Sequence, residues 1–130
     1  MNDLNLFDLT DFELTGVITC VKIDISPKFP CTRWGHSAVV DGSNLYILGG
    51  RNDHDINDVH SFNLDSMQWS KLDIDAMTQP KARRRHACAI IGSSIIMFGG
   101  FDGDFFDDLN ILPLDQVNKK LIKIDDSNLF

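Results

Sequence analysis

The chain has 130 residues, 43% hydrophobic and 9% aromatic, enough for one modest core in a single domain or a piece of one. Its 12 Lys and Arg stand against 19 Asp and Glu, a formal net charge of −7. Such a surface repels phosphates and argues against general binding of nucleic acid or of an anionic membrane.

Residues 1–16 are an acidic amino-terminal segment, interrupted too often by polar residues to serve as a signal peptide, and no apolar run approaches membrane-spanning length. Residues 17–29 read as the outer strand of a preceding, partial unit, with Cys20, Ile23 and Ile25 as a spaced apolar trio. From residue 30 the chain repeats itself at an offset of fifty. Pro30, Arg33, His36 and Val40 recur as Pro80, Arg83, His86 and Ile90. Leu45, Ile47, Leu48, Gly49 and Gly50 recur as Ile95, Met97, Phe98, Gly99 and Gly100, and Asp58 recurs as Asp108. One fixed period of this length marks stacked units, each needing a neighbour to bury its faces.

The first unit spans 30–79 and reads as four strands. They are Ser37–Val40, the wholly apolar Leu45–Leu48 after a turn at 41–44, the alternating Val59–Leu64, and 67–74 with Trp69 inside it. Gly49 and Gly50 close the second strand, where they remove side-chain volume and permit positive φ. The second unit, 80–125, repeats the plan with a degenerate end, since Lys119 stands where Trp69 stood, and 126–130 are a tail. No sustained helical stripe is present. Cys20, Cys31 and Cys88 form no CxxC pair, so neither a disulfide framework nor a zinc knuckle is indicated, and a reducing compartment fits best.

Two collinear copies of Pro…Arg…His…GlyGly…Asp, the first with Trp69 in its fourth strand, resemble the kelch repeat over roughly residues 17–125. The resemblance implies an all-β fold, a partial kelch-type β-propeller made of four-stranded antiparallel blades. In that architecture Arg33, His36, Gly49, Gly50, Trp69, Arg83, His86, Gly99 and Gly100 are structural repeat positions. Two and a half units cannot close a ring, so self-association or missing blades are needed to complete it, and a fragment of a longer protein is the expectation.

The resemblance also implies a rim where partners dock, formed by the loops 51–56 and 101–106 together with 29–33 and 79–85. Lys81–Arg85 is the one concentrated positive run, suited to an acidic or phosphorylated segment, and Phe101, Phe105 and Phe106 are aromatics with no periodic reason to be in a loop. The candidate partner-binding residues are Arg51, Asn52, His54, Arg84, Arg85, Phe101, Phe105 and Phe106. No spacing suggests a metal site, a nucleophile system or a phosphate-cradling loop, so no cofactor and no catalysis are expected. The reading is a protein-protein interaction module, a kelch scaffold or the substrate-recognition part of an adaptor, in the cytoplasm with the nucleus left open. The alternatives are a fragment of a kelch-propeller enzyme of oxidase or sugar-acid epimerase type, or a truncated copy without independent function. Tyr46 is the only tyrosine and lies in a core strand, which disfavours the oxidase.

Overall fold

A computed structural model describes residues 3–24, 30–116 and 118–121, the last of these as backbone. Strands β1 (Leu4–Asp8) and β2 (Thr19–Ile23) form a two-stranded antiparallel sheet, joined through a single helical turn, α1 (Phe12–Thr15), that ends on left-handed Gly16.

The first repeat folds as four consecutive antiparallel strands: β3 (Ser37–Asp41), β4 (Asn44–Arg51), β5 (Asp55–Asn63) and β6 (Gln68–Asp73). The second contributes β7 (Ala87–Ile91), β8 (Ser94–Phe98) and β9 (Leu109–Pro113) in the same order, and a 3-10 turn at Leu114–Gln116 follows. The chain is all-β, a partial propeller built of antiparallel blades.

Two details depart from the sequence reading. Strand β4 does not stop at the Gly pair but runs on to Arg51 through a bulge between Leu48 and Gly50, and β5 starts at Asp55 to meet it. A bulge accommodates an extra residue in one strand without ending the ladder. The segment expected as the fourth strand of the second repeat is β10 (Asn118–Leu121), and it pairs with β6, Lys119 lying opposite Leu72. The second sheet therefore has three strands among the described residues, and 122–125 lie outside them. Trp69 packs its ring 5.0 Å from Phe62, an anchor that the Lys119 position lacks, and the open edge of β6 offers a full row of backbone partners instead.

The core lies between the two sheets. Strand alternation sends Tyr46, Leu48 and Val59 from the first sheet against Ile95, Met97 and Leu112 of the second, with Leu72 closing the outer end. This apolar contact packs the two sheets together and contributes about 25 cal/mol per Å² buried. Among the described residues no helix is long and apolar enough to cross a membrane.

Gly49 shows what the seam between the sheets requires. It holds φ 57°, and a Cβ there would lie 2.8 Å from the Arg83 carbonyl oxygen and 2.8 Å from the His86 ring. Gly42, in the β3–β4 turn, has the same φ of 56° with nothing within 4 Å. Backbone strain is thus matched and crowding is not. Gly42→Ala is expected to cost about 1 kcal/mol, and Gly49→Ala about 3 kcal/mol because backbone must also move. Denaturant melts of the two variants check this, and equal losses contradict the seam geometry.

Candidate functional site: the seam and the loop rim

A guanidinium can be buried only if its N–H groups find acceptors and its charge finds a partner. Arg83, 1% exposed, meets both conditions. Its Nε donates to the Lys81 carbonyl (3.0 Å) and Nη1 to the Gly99 carbonyl (2.9 Å), while Nη1 and Nη2 grip both oxygens of Asp108, the second at 2.8 Å. The Phe106 ring lies 3.9 Å from the guanidinium carbon. Arg33 repeats the arrangement with the Cys31 and Gly49 carbonyls and both oxygens of Asp58. His60 braces Asp58 at 2.9 Å, and fifty residues on Asn110 donates to Asp108 at 2.9 Å.

These contacts set the carboxylates' titration. Burial pushes Asp58 up, but hydrogen bonds from His60 and Arg33 outweigh it and hold the carboxyl well below the usual range. Asp108 is held low chiefly by the Arg83 hydrogen bond, with Asn110 adding to it.

The clamp fixes the segment 83–86, and that segment docks into the first sheet. The Gly50 N–H donates to the Arg83 carbonyl (2.9 Å), the Arg83 N–H to the Ile56 carbonyl (3.2 Å) and the Arg85 N–H to the Gly35 carbonyl (2.7 Å). Ser37 Oγ donates to the His86 carbonyl at 2.6 Å. His86 is buried at the end of this insertion. Burial first, then the Arg83 charge, pushes its pKa down to about 4.

On the rim, the structure separates the three arginines of the basic run. Arg83 belongs to the clamp. Arg84 is turned inward, its Nη1 2.6 and 2.7 Å from the two Asp55 oxygens, with Trp34 and Phe101 flanking it at 5.5 and 4.7 Å. Arg51 shares the same carboxylate at 3.1 Å. Arg85 alone is exposed, and among the described residues no carboxylate pairs with it. Its guanidinium sits 5.4 Å from the Trp34 ring, and its backbone has φ 57°.

The two loops of the rim lie beside that segment, since Trp34 exchanges backbone hydrogen bonds with Arg51, and Arg84 with Phe101. Asn52 and His54 are exposed at the first tip. Phe105 is 89% exposed, its ring tilted 57° to that of the half-buried Phe101 at 5.0 Å, whereas Phe106 points at Arg83 and Lys81. Lys81 is engaged by Asp102 at 2.8 Å. Phe98, Gly100, Phe101, Phe105 and Arg85 line a groove of about 420 Å³. Trp34 and Asp55 were not singled out from sequence, although a signal existed: where one copy has Trp34 with Arg51 and Asp55, the other has Arg84 with Phe101 and Phe105. Among the described residues no three potential metal-ligating side chains converge.

The family model for the KLHDC2/KLHL20/DRC7 Kelch-repeats domain matches residues 1–128. The chain belongs to the kelch-repeat family. This kelch chain is 30% identical over 108 residues to Kelch domain-containing protein 10 of Homo sapiens, covering 78% of the chain and 24% of the relative. It is 35% identical over 114 residues to Kelch domain-containing protein 3 of Mus musculus, covering 76% and 30%. It is also 30% identical over 116 residues to tRNA wybutosine-synthesizing protein 2/3/4 of Oryza sativa subsp. japonica, covering 86% and 11%. The kelch chain spans under a third of the length of each of these relatives.

Two outcomes are expected from this geometry. Arg84→Ala leaves the buried Asp55 with only Arg51 and should lower stability by about 1 to 3 kcal/mol, while Arg85→Ala should change it by less than about 0.5 kcal/mol, as chemical denaturation would show. The second concerns pH. His86 titrates lower in the folded chain than its ordinary 6.5, so the unfolded chain binds the extra proton between about 4 and 6.5. Stability should therefore hold above pH 6.5 and fall by about 2 to 3 kcal/mol as pH drops to 4. Asp58 and Asp108 remain ionised throughout that window. His86→Gln should flatten most of the slope, and an unchanged slope contradicts the assignment.

Proposed function

We propose that this chain is a protein-interaction module rather than a catalyst, and that its rim takes an acidic or phosphorylated segment of a partner with Arg85 as the charged contact. The carrying observation is the conformation of Arg85. The first repeat has Gly35 at the same position with φ 66°, where glycine is comfortable, and the second places an arginine there at φ 57°. An L-residue in the left-handed region costs about 1 kcal/mol, and such strain concentrates at binding sites. The strain holds the guanidinium outward over Trp34, where it can fork onto carboxylate or phosphate oxygens.

The surroundings narrow the partner. Asp53 and Asp104 are exposed on the same two loops, so a broad acidic surface would be repelled, and one compact anionic group aimed at Arg85 fits better. Arg51, Asn52 and His54 lie along the neighbouring loop and supply further polar contacts. Membership of the kelch family supports a scaffold or adaptor role, with the partner named by chemistry alone.

Fluorescence anisotropy with a labelled peptide carrying one phosphoserine, beside its unphosphorylated form and a polyglutamate peptide, tests the reading. The phosphopeptide should bind most tightly, more weakly at high salt. Arg85→Gly should weaken it by about 1 kcal/mol while leaving thermal stability equal or higher. Unaltered binding in Arg85→Gly, with loss on replacing Asn44 and Gln68 on the opposite rim, overturns it.

A further inference from the structure

The repeat supplies an internal control for the outer face of the second sheet. In the first sheet the residues facing the neighbour are Ser37, Val39, Tyr46, Leu48, Val59 and Ser61, and their counterparts fifty positions on are Ala87, Ala89, Ile96, Phe98, Leu109 and Ile111. Leu48, Val59 and Ser61 are 1%, 2% and 3% exposed because the second repeat covers them. Phe98, Leu109 and Ile111 are 54%, 62% and 61% exposed. The uncovered face is more apolar than the covered one, since Ile111 and Ala87 replace two serines.

The same comparison explains the groove beside it. In the first sheet the corresponding place is occupied by the segment 83–86, bonded to the Gly50 N–H and the Ile56 and Gly35 carbonyls. Fifty residues on stand the Gly100 N–H and the Phe106 and Arg85 carbonyls, and the groove lined by Phe98, Gly100, Phe101 and Phe105 opens over them. It has the form of a socket for another Arg-x-x-His segment.

We propose that this socket and sheet face receive the Arg33–His36 segment and the β3–β4 face of a second copy of this chain, joined head to tail. The chain carries the matching surface: His36 and Trp34 are exposed, as are Ala38 and Val40 at the positions of the seam residues Cys88 and Ile90. The contact chemistry also matches. Within the chain, Arg84 meets a socket with Asp55 in it; between copies, Trp34 meets a socket with Phe101 and Phe105 at the same places. Charge receives charge, and aromatic receives aromatic. One bond has no counterpart, because Ala87 stands where Ser37 donates to the inserted segment. Such an interface is heterologous, so copies add in a ring or row. This does not depend on the reading of Arg85.

Sedimentation velocity of the 130-residue chain tests it. The wild type should associate with rising concentration through the micromolar range. Phe98→Asp on one face and Val40→Asp on the other should each be monomeric, and their mixture should form a 1:1 dimer, since each retains the face the other has lost. Ile111→Ser, which copies Ser61, should weaken association about tenfold with the circular dichroism spectrum unchanged. All three positions are exposed in the single chain, so folding should survive. A wild type that stays monomeric, variants that associate like it, or a mixture that remains monomeric overturns the proposal. So does a monomeric wild type that binds a polypeptide carrying further kelch repeats, which assigns the face to another blade. Ile111→Ser, which lies outside the rim, should leave phosphopeptide binding unchanged, which separates this result from failure of the rim reading.

Discussion

Burial of a permanent positive charge is the constraint on which the structure turns. Arg83 cannot lose its proton, so its place between the sheets exists only because Asp108 and two carbonyls engage four of its five donors. With the side chain fixed, the backbone of 83–86 is presented edge-on to the first sheet and becomes the cross-link between repeats. The tight approach then dictates glycine at position 49, which is why the Gly pair and the Arg recur together. Removing Asp108 leaves the buried Arg83 charge alone, so the pair is kept as a unit even where its net contribution to stability is small.

The two copies of the repeat differ most where function is proposed. The structural positions 33 and 83, 58 and 108, and 49 and 99 are the same residue in both copies. Position 35 and its partner 85 exchange a relaxed glycine for a strained arginine, and positions 51 and 55 exchange an ion pair for two phenylalanines at 101 and 105. The scaffold tolerates these exchanges because they lie at the loop end of the blade, Arg51 and Asp55 being the last pair of their ladder.

Much of this was legible in the sequence. The offset of fifty identified the repeat, its strands and Arg83 as a structural repeat position, because residues that recur at one position carry the architecture. The fate of Arg84 was not legible by the same logic: its counterpart is Trp34, so the repeat is silent about it, and only the fold brings Asp55 to within hydrogen-bonding distance. The destination of 118–121 was missed for a different reason. Lys119 marks the strand as degenerate, but pairing with β6 is a choice between two sheet edges that alternation alone does not distinguish. The exposed face of Phe98 and Ile111 was hidden as well, since apolar residues in a strand read as core until it is known that, among the described residues, no sheet lies over them.

The 83–86 insertion makes one cooperative unit of the two repeats. Native-state hydrogen exchange at the Gly50, Arg83 and Arg85 amides tests it directly, because these N–H groups bond only across the seam. Their protection should match that of the β4–β5 ladder, with all of them opening together. Exchange of the seam amides at the rate of exposed loops such as 52–54, while the ladder stays protected, would contradict it.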